Sequence, residues 1–387
     1  MFLHQLYLFN FRNIDEARLS FADRIICLLG KNGSGKTTVL DAIHYLSFTK
    51  SAVNPADAQN IRHGEQQFVV RGEFEMVNVD GSAGTQVQEA PSPLERAGVR
   101  SLTCAYTLGQ KKIINEDGRD YAKFSDHVGK YPVVMIAPQD IELIWDGSEL
   151  RRKFVDSVLC QLDKTYLENL IVYTYQLKQR NSLLKSFAEA GRVDQDLLAS
   201  YDHRLVPAAH YIFEARAIFL KFFIPFFRDQ YRYLVGNVGE EVSIEYQSDL
   251  RDKDFATLLS ANLQRDVLLQ RTTTGIHRDD FDFRINGFEL KRHGSQGQQK
   301  SFLIALKLAE FQAIAEKKKF KPILLLDDIF DKLDDERIHQ LMRLVAQGQF
   351  GQLLITDARA DRTLQIMETE KLNATIFRVE NGKVTNG

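Results

Sequence analysis

Cysteine is scarce. The 387-residue chain holds three, Cys27, Cys104 and Cys160. No two have the close spacing of a metal site, and three cannot all pair with one another. This argues against a disulfide scaffold and points to a reduced, cytoplasmic setting. No run of 18 apolar residues occurs, so no membrane span is expected. The apolar start Met1–Leu8 has no basic leader and turns polar at Asn10, Arg12 and Asn13, so it reads as a strand and not an export signal. Charge of one sign is missing too. Lys+Arg number 50 against 52 Asp+Glu, a net charge of −2, so any nucleic acid must be held by a local patch and not by a global field. There is no internal repeat.

What is present suits a soluble globular protein larger than one compact domain, with 44% hydrophobic and 26% charged residues. Leu3–Phe11, Ala17–Phe21 and Arg24–Leu29 read as strands. The last is almost continuously apolar, as for a strand buried on both faces. Further strands are expected at Phe68–Val70, Val99–Leu108 and Val133–Ile136, with a Gly/Ser/Pro/Ala-rich, mobile loop at 80–98. From about Ser148 to Leu234 Gly and Pro almost vanish. Tyr166, Leu170, Tyr173 and Leu177, then Ile212, Ala215, Phe219 and Phe222, mark amphipathic helices. Strands return at Val242–Tyr246 and Phe281–Ile285. A helix Ser301–Lys317, a strand Ile323–Leu326, a helix Asp335–Ala346 and two final strands follow. The expected organisation is a nucleotide-binding core from residues 1–147 and 237–387, with an inserted all-helical arm at 148–236.

Gly30-Lys31-Asn32-Gly33-Ser34-Gly35-Lys36-Thr37 matches the phosphate-loop pattern, between an apolar strand and a helix. Glycines let backbone N–H groups close around phosphate oxygens, and the next helix points its positive end at the same anion. Lys36 is placed for the β/γ-phosphates and Thr37 for Mg²⁺. The apolar run Ile323–Leu326 delivers Asp327 and Asp328 at its C-terminal end. Asp327 suits Mg²⁺, and Asp328 suits the attacking water. Lys36 and Asp327 lie 291 positions apart, and no Asn-Lys-x-Asp guanine reader occurs, which favours ATP over GTP. Ser295-Gln296-Gly297-Gln298-Gln299-Lys300 precedes the long helix. It is either an anion site, with the Ser295 hydroxyl and Gly297 N–H turned to a γ-phosphate, or simply a helix cap.

Together these segments resemble the ABC-type ATPases of DNA repair, and within them the RecF family of bacterial recombination mediators. Asn10-Phe11-Arg12-Asn13, Arg151–Asp156, Gly275–Asp280 and Asp327–Asp334 support the resemblance over nearly the whole length. It implies an α/β fold: an ABC-type P-loop ATPase head, a mixed sheet around a central phosphate-loop helix. It also implies that Ser295 and Gly297 complete the ATP site of a second copy, that Asp334 lies at that seam, and that Gln139 senses Mg²⁺ and water. Arg12, Thr38 and Gln298 join the expected nucleotide contacts. ATP-dependent homodimerisation, slow hydrolysis, DNA held near gapped single-strand/double-strand junctions, and RecR, RecO and RecA as partners are implied in the same way. Two departures speak against transporter-like turnover. Asp328 stands where a longer Glu is usual, and Ile355-Thr356-Asp357 lacks the switch histidine.

Lys111-Lys112, Arg151-Arg152 and Lys317–Lys321 lend modest support to DNA binding, although the last reads better as a solvated helix end. His277 reads as structural, bonded to Asp279 or the backbone. Two rival functions remain open: the cytoplasmic ATPase of a membrane transporter, and a nucleotide-binding scaffold that does not cycle.

Overall fold

The computed structural model describes residues 1–76, 98–236, 239–331 and 333–387. The loop expected at 80–98 lies almost wholly outside them. The chain divides into two compact units. One comprises Met1–Asp140, Tyr233–Val235 and Leu306–Gly387; the other comprises Ile141–Arg232 and Gly236–Ala305.

The first unit holds two six-stranded sheets. The antiparallel one orders β2 (Ile14–Ser20), β1 (Phe2–Phe11), β4 (Gln67–Glu75), β5 (Val99–Thr107), β6 (Ile113–Glu116) and β7 (Arg119–Asp120). A register shift in β1 between Leu3 and Gln5 puts Leu3 and Leu6, three residues apart, on the same buried side as Leu8. The other sheet orders β15 (Lys383–Asn386), β14 (Thr375–Glu380), β3 (Ile25–Leu29), β13 (Leu353–Asp357), β12 (Ile323–Leu326) and β8 (Val133–Ile136). All its pairings are parallel except that of β15. Every residue of β3, β8, β12 and β13 is buried, as the continuous apolar runs require.

Helix α1 (Lys36–Phe48) packs against strands of both sheets. It has no solvent-facing stripe: Val39, Leu40, Ala42, Ile43, Tyr45 and Leu46 are all buried. One hydrophobic core joins these residues to Leu3, Leu6 and Phe68 of the antiparallel sheet and to Ile26, Leu28 and Leu325 of the parallel one. The unit is therefore a mixed α/β head around the helix that follows the glycine loop.

The second unit is mostly helical. It contains α2 (Glu142–Trp145), α3 (Ser148–Leu162), α4 (Lys164–Ala190) and nearly all of α5 (Gln195–Val235), then α6 (Phe255–Ala261), α7 (Leu263–Leu269) and α8 (Leu290–His293). A three-stranded antiparallel sheet orders β11 (Phe288–Glu289), β10 (Asp280–Ile285) and β9 (Val242–Gln247). Asp163 caps α4 by accepting from the N–H groups of Thr165 and Tyr166, and Gly191 closes it in the left-handed region. Long amphipathic helices need more than propensity, and here buried ion pairs join them to neighbouring segments. The fully buried Arg216 guanidinium donates to Asp156, to Asp279 (3.0 Å) and to the Ile276 carbonyl (2.9 Å). Arg180, equally buried, donates to Asp202, Asp266 and Thr272, each at 2.8 Å.

The remaining helices are α9 (Gln296–Lys318), α10 (Asp335–Ala346) and α11 (Ala360–Thr369). Among the described residues, no helix is long and apolar enough to cross a membrane.

Candidate functional site

Because β3, β13, β12 and β8 run parallel, their C-terminal ends lie along one edge of the sheet, where open α/β sheets bind ligands. The phosphate-loop candidate follows β3. Two of its glycines are needed where they stand. A Cβ on Gly30 would come within 2.1 Å of the Val379 carbonyl oxygen, and Gly35, the N-cap of α1, has φ of 118°. The turn joining β1 and β2 supports the loop from outside: Asn13 accepts the Thr38 hydroxyl at 2.6 Å, and a Cβ on Gly35 would lie 3.0 Å from its amide nitrogen.

Lys31, Asn32 and Gly33 are exposed, whereas Ser34 and Lys36 are buried. The Ser34 hydroxyl has no hydrogen-bond partner among the described residues, an orphan that a phosphate oxygen would satisfy. The Lys36 ammonium donates to the carbonyls of Gly30 (2.9 Å) and Lys31 (3.3 Å) and lies 3.6 Å from Asp328 Oδ1. The Thr37 hydroxyl meets both oxygens of Asp327, at 2.9 and 3.0 Å. The two sequence motifs are thus joined across 290 residues, and Lys36, Thr37, Asp327 and Asp328 form one cluster.

Thr356 completes that cluster, and sequence reasoning missed its part. It is the penultimate residue of β13, the strand lying between β3 and β12. Its hydroxyl donates to Asp327 Oδ1 at 2.8 Å and accepts the Asp328 backbone N–H at 2.8 Å. That second bond supports a strained residue, because Asp328 is a non-glycine with φ of 43°. The signal was Thr356 itself, one position before Asp357 in the Ile355-Thr356-Asp357 string. Burial pushes the Asp327 carboxyl above its ordinary range, against the hydrogen bonds from Thr356 and Thr37. The adjacent Asp357 cannot stand in for a mobile switch residue. It is buried, and its carboxylate accepts from Arg362, the Thr363 hydroxyl and the Arg359 N–H.

Other expected residues are placed less directly. Gln139 is exposed just beyond β8, which pairs with β12, the strand that Asp327 follows. Arg12 donates to the buried Asp41 at 3.3 Å, and the Thr38 hydroxyl is taken by Asn13. Asp334 caps α10 by accepting the Arg337 N–H. Ser295, Gly297 and Gln298 form their own cluster in the second unit. Ser295 Oγ accepts the Gln298 N–H and Gln298 Oε1 accepts the Ser295 N–H, a reciprocal cap. The Gln298 amide also donates to Glu240 at 2.6 Å. With both ends engaged, that side chain is committed to the turn within its own chain.

Three residues of the basic clusters are engaged within the chain. Arg151 grips Asp280 with two bonds of 2.8 and 2.9 Å, and Arg152 donates to Ser148 and to the Asp279 carbonyl. Lys112 donates to the Thr49 carbonyl and to Asp57. These three cations are tied into the fold by hydrogen bonds within the chain. His277 is bonded to the backbone, as one of the two expected alternatives had it: its ring nitrogens meet the Thr272 carbonyl (3.1 Å) and the Tyr173 hydroxyl (2.6 Å), not Asp279.

Comparison with known proteins agrees with this geometry. The family model "RecF/RecN/SMC N terminal domain" matches residues 2–385. A Flavobacterium johnsoniae protein named "DNA replication and repair protein RecF" is 44% identical over 98% of this chain and 100% of its own length. The chain belongs to the RecF family. A Bacteroides thetaiotaomicron RecF is 37% identical over 99% of this chain and 98% of its own. Among solved structures, a RecF–ATP complex of the RecFOR pathway superposes with a TM-score of 0.84 at 27% identity, covering 100% of this chain and 97% of that one. The Smc head domain of Pyrococcus furiosus shares the fold at a TM-score of 0.55 and 14% identity, covering 100% of this chain and 96% of that one. RecF-family membership and the ABC-type ATPase head are therefore both established for this chain.

Proposed function

We propose that this chain is a weak, DNA-stimulated ATPase of recombinational repair and replication. ATP binding closes two copies on DNA at gapped single-strand/double-strand junctions, and slow hydrolysis reopens them. The carrying observation is the Thr37–Asp327 contact, which unites the loop and the acidic strand end in one site. Relatives of full length are named DNA replication and repair proteins, and RecF structures are described in the RecFOR pathway. We therefore take RecR, RecO and RecA as partners and the cytoplasm as the setting. The transporter alternative is dropped.

The residues present fit Mg²⁺. Thr37 and Asp327 supply hard oxygen donors, the type this ion takes alongside waters and substrate phosphates. Held there, the ion would offset charge on the β- and γ-phosphates. Gln139 completes the set from the neighbouring strand end. The loop amides and Lys36 bind and orient the phosphates. Asp328 accepts a proton from water as the water oxygen bonds to the γ-phosphorus and the bridge to the β-phosphate breaks, leaving ADP and phosphate. Its short side chain and the locked Asp357 fit slow turnover. Ser295 and Gly297 act on the ATP of the partner copy. The expected division into a core (1–147 and 237–387) and an arm (148–236) differs from the two compact units, because Gly236–Ala305, with Ser295 and Gly297, shares a unit with Ile141–Arg232.

DNA-binding titrations with ATP, ADP and no nucleotide, each at two salt concentrations, test the proposal. Tighter binding of gapped duplex with ATP, weakening steeply with salt, is expected. No gain with ATP for any DNA would refute it.

A further inference from the structure

We infer that Glu240 positions the Ser295–Gly297 turn, acting through Gln298. This rests on reading that turn as the half-site offered to a partner copy. Glu240 belongs to no motif and lies 58 residues before Gln298 in sequence. Its carboxylate nevertheless bridges two side chains. Oε1 accepts from the Gln298 amide at 2.6 Å, and Oε2 accepts from the hydroxyl of the buried Tyr231 at 2.5 Å.

The bridge matters because an amide has two nearly isosteric orientations. In the observed one, Gln298 Oε1 accepts the Ser295 N–H at 2.7 Å. Flipped, the amide would turn its NH₂ toward that N–H, setting donor against donor. Glu240 can only accept, so it selects the orientation that holds Ser295. The anchor behind it is firm, because Tyr231 packs beside Phe227 and Phe302. The second glutamine secures the other side of the turn. Gln299 is buried and donates to the Gly294 carbonyl at 3.1 Å. Gly294 in turn sits so close to α8 that a Cβ there would lie 2.7 Å from Leu290. The double glutamine after Gly297 thus has a physical reason. One side chain ties the turn forward to Glu240, the other back to α8, leaving Ser295 exposed and Gly297 half-buried at its tip.

A charge-swap cycle tests this in the full-length chain. Gln298→Glu sets two carboxylates against each other and should weaken ATP-dependent dimerisation about tenfold or more. Monomer affinity for ATP should stay within about threefold, since the variant leaves the phosphate loop intact. Combining Gln298→Glu with Glu240→Gln restores one donor and one acceptor and should recover dimerisation to within about threefold of wild type. A substitution that only damaged folding would not be rescued by a second one. Wild-type dimerisation by Gln298→Glu, or no recovery in the double variant, overturns the proposal. Ser295→Arg, run alongside, separates the levels. If it still dimerises, the reading of the turn as a half-site fails. If it is blocked while the cycle shows no coupling, only the role of Glu240 fails.

Discussion

Thr356→Val removes one hydroxyl and little volume, at the point where two carboxylates are held together. The change deletes a hydrogen bond to the Asp327 carboxylate and the acceptor of the Asp328 N–H. Bonds to charged groups contribute about 1.5–3 kcal/mol and neutral ones about 1 kcal/mol. Asp328 also loses a restraint on its positive φ, a conformation that costs about 1–2 kcal/mol for a residue with a Cβ. If about 3 kcal/mol of this restraint acts in the transition state, the hydrolytic step slows by about two orders of magnitude. ATP binding should change by no more than about threefold, because among the described residues Thr356 makes no direct hydrogen bond to Lys36 or Thr37 and reaches Thr37 only through their shared acceptor, Asp327 Oδ1. Single-turnover release of phosphate with saturating DNA measures the step. Thr356 also opposes the upward push of burial on the Asp327 carboxyl, so the variant should lose activity at a higher pH than wild type on the acid side. Thr356→Ser keeps the hydroxyl and should stay within a few-fold of wild type. Hydrolysis at the wild-type rate by the valine variant, or equal slowing by the serine variant, would refute the reasoning.

Ser295→Arg should leave monomer ATP binding intact and block the ATP-dependent dimer, as seen by analytical ultracentrifugation. A normal dimer would show that the turn is not part of a shared site. Burial lowers the His277 imidazole to about 4. Its folded value lies below the unfolded value near 6.5, so the unfolded chain takes up more protons between these limits and stability is lost as pH falls through that window. His277→Gln should flatten this dependence. Chemical denaturation of both proteins at pH 7 and pH 5 measures it, and an unchanged difference would rule out His277 as the cause.

Much of the fold was legible because its signals are local. The continuous apolar runs of β3, β8 and β12 announce strands buried on both faces. The glycine loop announces the turn before α1. The cluster of Lys36, Thr37, Asp327 and Asp328 was legible for a different reason, since its two halves carry recognisable spacing. What was not legible depends on tertiary contact. Nothing near Arg151 or Arg152 in sequence reveals that Asp279 and Asp280 lie beside them, so a structural ion-pair cluster reads as a basic patch. Thr356 looks like an ordinary strand residue until β13 is placed between β3 and β12. Glu240 follows a turn and belongs to no pattern, and only the folded chain brings it to Gln298.

The most direct test of ATP-driven closure is light scattering of the wild-type chain and of Lys36→Ala, with and without ATP, on gapped DNA. Lys36 is the buried ammonium of the loop, so its loss should abolish nucleotide capture. The wild-type chain should double in mass with ATP and not with ADP, and Lys36→Ala should remain monomeric in every condition. An ATP-dependent dimer that survives the loss of Lys36, or a wild-type chain whose mass ignores ATP, would contradict the account.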